Sequence, residues 1–318
     1  FLAGLVLFGQ GSKSLGTIVA ISSYASYFWQ PIMNLGNIFN NFINNIAYLE
    51  RIFETMDEPV TVKDAENAVK MPEIRGEVTF DHVNFSYDES KQILKDVSFT
   101  VKPGESVALV GPTGAGKSTI VNLISRFYNV NGGRVLIDGQ DISQVTIHSL
   151  REQMGIMMQD SFIFSGDIED NIRYGKLDAT HEEIVKASRT VCADEFISKM
   201  PDRYQTEVRE RGSMLSQGQK QLISFARTLL SDPAILILDE ATSSIDTQTE
   251  IQVQQGIESL LKGRTSFIIA HRLSTIKNAD RIFVIDHGKI FEQGTHDELM
   301  AKQGAYYQLY QAQFRRVS

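Results

Sequence analysis

The segment Gly111-Pro-Thr-Gly-Ala-Gly-Lys-Ser118 constrains the fold of this chain more than any other feature. It has the pattern G-x-x-x-x-G-K-S, follows a short apolar run at residues 107–110, and leads into a helical pattern that continues to about residue 127. Only glycines let successive backbone N–H groups turn inward around phosphate oxygens, at the positive end of the following helix. We therefore predict a phosphate-binding loop between a β-strand and an α-helix, in preference to a glycine-rich turn that binds no nucleotide.

Polar side chains near this loop have the chemistry of a phosphoryl-transfer site. Lys117 is placed to reach the terminal phosphates of a nucleotide, and the Ser118 hydroxyl is placed to ligate Mg²⁺. A second apolar run, residues 235–238, ends in Asp239 and Glu240. Because the carboxyl ends of buried parallel strands meet at one edge of a sheet, Asp239 suits the Mg²⁺ shell and Glu240 suits a water-activating base.

Charge is distributed very unevenly along the chain. Of its 318 residues 70 are charged, 31 basic and 39 acidic, and only Lys13 precedes Glu50. The uncharged residues 14–49 are enough for roughly 54 Å of helix, which exceeds the thickness of a bilayer core. Because the chain opens inside an apolar run and without methionine, we also expect a portion upstream of it. The single cysteine, Cys192, cannot form a disulfide within the chain.

Amide side chains form one face of the uncharged segment. Gln30, Asn34, Asn37, Asn41 and Asn44 recur at steps of four and three residues, and Tyr48 continues the same face. Asparagine facing lipid is costly, so we expect this face to meet other helices or a water-filled cavity. Hydrogen bonding between helices and the lining of a substrate pathway both remain open.

A third motif, Leu215-Ser-Gln-Gly-Gln219, lies between the phosphate-binding loop and the apolar run at residues 235–238. It resembles the LSGGQ signature of the ATP-binding cassette (ABC) transporters, with Gln217 where glycine is usual. The phosphate loop, Gln159, this motif, Leu238-Asp-Glu240, Ser243-Ser-Ile-Asp246 and Ala270-His271 follow one another in the family's order. The chain is thus similar to ABC exporters, in particular to bacterial half-transporters of the multidrug and lipid type.

The resemblance implies an α/β fold, a P-loop NTPase cassette with a RecA-like parallel sheet core, an antiparallel β subdomain and a helical subdomain at roughly residues 160–232. A transmembrane α-helix is expected to precede it. Residues 1–50 would be the C-terminal fragment of a helical transmembrane domain, comprising the end of one helix and a final membrane helix with a cytosolic extension. Residues 51–76 would be a linker, and residues 77–318 would be the cassette.

The resemblance also implies a site for ATP and Mg²⁺, in which Tyr87 stacks on adenine. The residues that match nucleotide-binding positions are Tyr87, Gly111, Pro112, Thr113, Gly114, Ala115, Gly116, Lys117, Ser118, Thr119, Gln159, Ser216, Gln217, Gly218, Gln219 and Asp246. The matching metal-binding residues are Ser118, Gln159 and Asp239. The matching catalytic residues are Lys117, Gln159, Glu240 and His271.

Ser216 and Gly218 match residues that hold the γ-phosphate of a nucleotide bound to a second cassette, so the implied active site is composite. The partner would be a second ABC half-transporter. Gln217 favours a heterodimer, in which the altered signature faces the partner's weaker site. A homodimer that tolerates the substitution stays open.

The implied function is ATP-driven export across the plasma membrane, by a multi-pass protein whose cassette is cytoplasmic. Its partners would be the other half-transporter, the lipid bilayer and an exported substrate that the sequence does not specify. The net charge of −8 provides no basic face for nucleic acid, which we exclude as a partner. A nucleotide-gated module without transport and a soluble repair-type ATPase are the alternative functions.

Overall fold

A computed structural model describes residues 15–88, 91–158, 162–239, 247–270 and 272–314. The chain divides into two compact units, Phe1–Thr61 and Val62–Ser318.

The first unit consists, where it is described, of one helix. This helix, α1, spans Leu15–Met56 and includes Pro31. It confirms the helix predicted for the uncharged segment and continues into the charged residues that follow. Among the described residues, no helix is both long enough and apolar enough to cross a membrane.

The second unit contains three sheets. An antiparallel sheet has the order β2-β1-β4-β5, formed by β1 (Val78–Ser86), β2 (Gln92–Val101), β4 (Gly132–Ile137) and β5 (Gln140–Asp141). A larger sheet has the order β12-β11-β3-β10-β9-β6, formed by β3 (Ser106–Val110), β6 (Met154–Met157), β9 (Ile235–Asp239), β10 (Thr265–Ile269), β11 (Arg281–Asp286) and β12 (Lys289–Gly294). Its pairings are parallel except that of β11 with β12. The third sheet pairs β7 (Gly166–Asp167) with β8 (Glu207–Val208).

The second unit also contains helices. They are α2 (Lys117–Ile124), α3 (Ile147–Arg151), α4 (Ile168–Arg173), α5 (His181–Thr190), α6 (Asp194–Ile197), α7 (Gln217–Leu230), α8 (Thr247–Leu261), α9 (Leu273–Asn278), α10 (His296–Lys302) and α11 (Ala305–Phe314). Short 3₁₀ helices lie at Ile142–Gln144, Arg203–Gln205 and Glu210–Gly212. Capping boxes begin α5 at Thr180 and α10 at Thr295, as the T-x-x-E patterns there predict.

The large sheet is buried on both faces, which explains why its central strands are continuously apolar. Along β3, Val107 and Leu109 pack in a cluster with the antiparallel sheet, whereas Ala108 and Val110 pack in a second cluster with α7 and α8. The predicted α/β cassette is confirmed: a parallel sheet lies between an antiparallel β layer and helices.

The order of the strands determines where the functional loops emerge. β10 lies between β3 and β9, and its residue Ile269 pairs with both Leu109 and Asp239. The carboxyl ends of these three strands are therefore level with one another. The glycine-rich loop, which begins at Gly111, and the acidic end of β9 thus emerge at the same edge of the sheet.

Candidate nucleotide-binding site

Two glycines of the phosphate-binding loop have backbone conformations that side chains rarely adopt. Gly111 has φ +145°, and a Cβ there would lie 2.0 Å from the carbonyl oxygen of Ile285. Gly116 has φ +112°, and a Cβ there would lie 2.8 Å from Leu94 Cδ2. The loop therefore favours glycine at both positions for its backbone conformation, and at Gly111 also for its close approach to the backbone of β11.

The phosphate-binding loop leads directly into α2, whose N-terminus has no side-chain cap from the described residues. Gly116 is the N-cap of α2, and no side chain of the described residues caps it. The first backbone bond of the helix runs from Ile120 N–H to the Gly116 carbonyl, at 3.1 Å. The amides of residues 116–119 therefore lack carbonyl partners within the helix, and together with its dipole they favour a bound anion. A nucleotide phosphate fits this arrangement.

Lys117 adds a positive charge inside the loop. Its Nζ donates to the carbonyl oxygens of Gly111 and Pro112, each at 2.9 Å. Burial lowers the pKa of Lys117, and the carboxylate of Asp239 acts in the opposite direction. The structure thus brings Lys117 and Asp239 into electrostatic range, although 122 residues separate them in the sequence.

The donor set around the loop is the kind that magnesium uses. Ser118 is exposed in the first turn of α2, and Asp239 is half-buried at the end of β9. Within the described residues no group of three or more His, Cys, Asp or Glu side chains could hold a metal ion. Because Mg²⁺ is usually bound by one or two carboxylates together with substrate phosphates and water, Ser118 and Asp239 fit this ion when a nucleotide is bound.

Tyr87 lies beside the loop with its ring half exposed. Its hydroxyl is 3.1 Å from Thr119 Oγ1, and its ring is edge-to-face with Phe85 and Tyr128, each with a centroid separation of 4.9 Å. Sequence reasoning identified Tyr87 and missed Tyr128. The aromatic pair Phe127-Tyr128, at the end of the predicted helix, is the signal that was available for it.

The signature motif begins a helix. Ser216 is the N-cap of α7: its Oγ accepts from Gln219 N–H at 3.2 Å, and Gln219 Oε1 accepts from Ser216 N–H at 3.0 Å. Gly218 is buried and Gln217 is exposed in the first turn. The reciprocal bonds give Gln219 a structural role as a capping residue, which the pattern S-x-x-Q could have predicted.

Four predicted site residues, Gln159, Glu240, Asp246 and His271, lie outside the described residues. Gln159 follows β6 in the sequence, Glu240 follows β9 directly, and His271 comes two residues after β10.

Arg227 of α7 was missed by sequence reasoning. Its guanidinium donates to the carbonyl oxygens of Asn171 at 2.8 Å and Phe162 at 3.1 Å, and it lies over the rings of Phe164 and Tyr174. Burial lowers its pKa. The signature helix is thereby joined to residues 162–174, and no local pattern indicates a contact across 56 residues.

Comparison with known proteins agrees with this geometry. Residues 94–243 match the family model described as ABC transporter. The chain therefore contains an ABC transporter domain. The chain is 53% identical over 311 residues to the ABC transporter ATP-binding protein YknV of Bacillus subtilis, covering 98% of this chain and 52% of that protein. It is 45% identical over 311 residues to a fatty acid ABC transporter ATP-binding/permease protein of Mycobacterium bovis, covering 98% of this chain and 49% of that protein.

A solved structure of a bacterial Atm1-family ABC exporter with ATP bound is also similar. The TM-score is 0.77 at 40% identity, over 99% of this chain and 55% of that chain. The resemblance to exporters that the sequence motifs indicated is confirmed. The chain spans about half the length of the relatives it matches.

Proposed function

We propose that this chain is the ATP-binding half of an exporter that couples ATP binding and hydrolysis to movement of a substrate across the plasma membrane. The observation that carries the proposal is the uncapped start of α2, with Lys117 in the loop and Asp239 at the same sheet edge. An anion with several oxygens is the ligand that such an arrangement binds best. The relatives, which include ATP-binding and permease proteins of ABC transporters, support the proposal.

Each site residue near the phosphate-binding loop has a defined role in the proposal. The amides at the start of α2 and the Lys117 ammonium neutralise the terminal phosphates, and Tyr87 stacks on the base. Ser118 and Asp239 hold Mg²⁺, which supplies charge neutralisation for phosphoryl transfer when bound. Phosphoryl transfer to water then needs positioning more than covalent chemistry.

The residues outside the described ranges complete the proposed site. Glu240 orients or deprotonates the attacking water, Gln159 senses Mg²⁺ and this water, and His271 contacts the γ-phosphate. Asp246 communicates with the second cassette. The region around Gln159 passes closure of the two cassettes on to the membrane domain, so that ATP binding switches the transport cavity from inward to outward and hydrolysis resets it.

Residues 1–50 would contribute to the membrane domain of a multi-pass protein whose cassette is cytoplasmic. The amide stripe along α1 supports burial against other helices or a cavity, because asparagine is poorly suited to lipid. One relative is named as a fatty acid transporter, and a lipid or a drug-like amphiphile is accordingly the proposed class of cargo.

The second subunit is proposed to be a different half-transporter. Ser216 and Gly218, at the start of α7, would hold the γ-phosphate of a nucleotide bound to the partner. Gln217 is exposed beside them. The presence of glutamine here in place of glycine should therefore affect the contact with the partner cassette at the start of α7, and not the fold of this cassette. A homodimer with two equal sites is the alternative.

ATP hydrolysis by the intact protein, purified alone and with a candidate partner, separates the two assemblies. Robust hydrolysis by the protein alone contradicts the heterodimer. As a matched test, Gln217→Gly is expected to raise hydrolysis by the complex if Gln217 weakens one of its two sites. An unchanged rate would mean that the substitution is simply tolerated.

Uptake of a panel of lipids and amphiphiles into inverted membrane vesicles tests export directly. We expect uptake that requires MgATP and that is lost in vesicles carrying Lys117→Met. Vesicles that hydrolyse ATP without accumulating any compound of the panel would favour a nucleotide-gated module over an exporter. A full-length protein that fractionates cleanly with the cytosol would favour a soluble ATPase instead.

A further inference from the structure

The end of α2 opposite the phosphate-binding loop carries a buried arginine. Arg126 follows the helix by two residues, and its side chain is only 2% exposed. Its backbone has φ +49°, a left-handed conformation that side chains other than those of asparagine, aspartate and histidine seldom adopt. The chain therefore accepts both backbone strain and burial of a charge at this position, which indicates a specific task for the guanidinium.

The guanidinium holds the segment that leads from α1 into the cassette. We call this segment, residues 62–77, the strap. Arg126 donates through Nη2 to the carbonyl oxygen of Lys63 at 3.0 Å and through Nη1 to the carbonyl oxygen of Val145. The Asp64 carboxylate lies 3.8 Å from Nη1. These partners lie outside α2, so the arginine joins the end of α2 to the strap.

The strap is bound along its length to residues 144–153. Asp64 accepts from the N–H of Ile147 at 2.8 Å. The strap's own amides donate as well: Val69 to the Gln144 carbonyl at 3.0 Å, Met71 to Ser149 Oγ at 2.8 Å, and Ile74 to Gln153 Oε1 at 2.8 Å. The strap is thus a hydrogen-bonded part of the cassette, and α3 lies within the stretch that binds it.

α3 also holds the end of α2. Arg151 donates from Nε to the Ser125 carbonyl at 3.0 Å and from Nη2 to the Arg126 carbonyl at 2.8 Å. Its guanidinium lies 4.6 Å from the centre of the Phe127 ring. α2 therefore has the phosphate-binding loop at one end and the anchor of the strap at the other. A rigid-body shift of this short helix would therefore move both the loop and the anchor of the strap.

We propose that Arg126 is a positioning residue through which nucleotide occupancy of the phosphate-binding loop alters the attachment of the strap. This proposal rests on the proposed function, because it requires that the loop binds ATP. It defines a route from the nucleotide to the segment joined to α1 that runs through α2 itself.

Hydrogen exchange of the strap amides tests the proposal in the intact protein in detergent. The parent carries Glu240→Gln so that bound ATP persists, and exchange is compared with and without saturating MgATP, with saturation verified by titration. Arg126→Met removes the anchor, and Asp64→Asn removes only the facing charge. The matched control is Arg134→Met, an exposed arginine on β4 that pairs with Asp81.

We expect MgATP to change exchange at Val69, Met71 and Ile74 in the parent and in Arg134→Met. The response should be lost in Arg126→Met and reduced in Asp64→Asn, while exchange in β10 and β11 stays the same. A purely structural role of Arg126 would change strap exchange equally with and without nucleotide. If Arg126→Met also loses protection in β10 and β11, the nucleotide response of Asp64→Asn tests the proposal instead, because the Asp64 side chain lies outside the core.

Two results would overturn the proposal. One is a parent that binds MgATP without any change in strap exchange. The other is an equal nucleotide response in the parent and in the folded variants at Arg126 and Asp64. A parent that binds no MgATP would instead refute the proposed function, and the role of Arg126 would fall with it.

Discussion

Replacing Lys117 with methionine should remove nucleotide binding and leave the cassette folded. Without nucleotide, the ammonium donates two hydrogen bonds to loop carbonyls, each worth about 1 kcal/mol net. Burial of the charge opposes this gain, because burial is what lowers the pKa of Lys117. Since the two effects oppose each other, we expect the free energy of unfolding of the nucleotide-free protein to change by less than about 2 kcal/mol.

Stabilisation by bound nucleotide should distinguish the wild type from Lys117→Met. A nucleotide at 100 times its dissociation constant stabilises the folded protein by about 2.7 kcal/mol. For a domain of this size that corresponds to an increase in melting temperature of roughly 5–10 °C. The wild-type protein should show this increase with MgATP, and Lys117→Met should not, because its loop lacks the cation that faces the terminal phosphates.

Thermal unfolding of the intact protein with and without MgATP measures both effects. Lys102→Met, at an exposed lysine, is the matched control and should keep the full increase. As a second readout, folding lowers the pKa of Lys117, so the unfolded chain binds more protons between that lowered pKa and the ordinary value of 10.5. Stability from this residue therefore rises with pH across that window, and Lys117→Met should abolish the rise. A full MgATP-dependent increase in Lys117→Met would refute the reasoning.

Two further predictions concern the base and a helix cap. Tyr87→Ala should weaken ATP binding in equilibrium titration by about 1–3 kcal/mol, the usual value of stacking on one base, whereas Tyr87→Phe should bind like the wild type; equal affinities for all three would remove the stacking role. Glu183, which caps α5, has its pKa lowered from 4.5 to about 2, first by its hydrogen bond with Lys176 and then by the bonds with Thr180. Its contribution to stability is therefore present above pH 4.5 and is lost as the pH falls towards 2. Glu183→Gln should flatten the melting temperature across this range and Glu182→Gln should not; the same acid dependence in both variants would contradict the assignment.

Local sequence predicts much of the site because its chemistry is contiguous. The loop from Gly111 to Ser118, the apolar strand before it and the T-x-x-E caps depend on neighbouring residues alone, and each lies where its pattern indicates. The acidic end of β9 could be predicted because parallel strands end at a common edge.

The rest of the site depends on contacts between distant residues. The placement of β10 between β3 and β9 follows from pairing that no local periodicity encodes. Arg126 and Arg227 show the same limit, since a lone arginine in a sequence is usually a surface residue. Each is placed by backbone carbonyls, which any residue type offers, from segments more than 15 residues away.

Release of phosphate from MgATP by the assembled intact protein, compared with Glu240→Gln, tests the central claim most directly. The proposed function predicts hydrolysis by the wild type and a reduction in the variant of about 10²–10⁴-fold, the usual loss when a general base is removed. ATP binding should remain in the variant, because Glu240 acts on water rather than on the nucleotide. A wild-type protein that binds ATP without hydrolysing it, or equal rates for the two proteins, would contradict the claim.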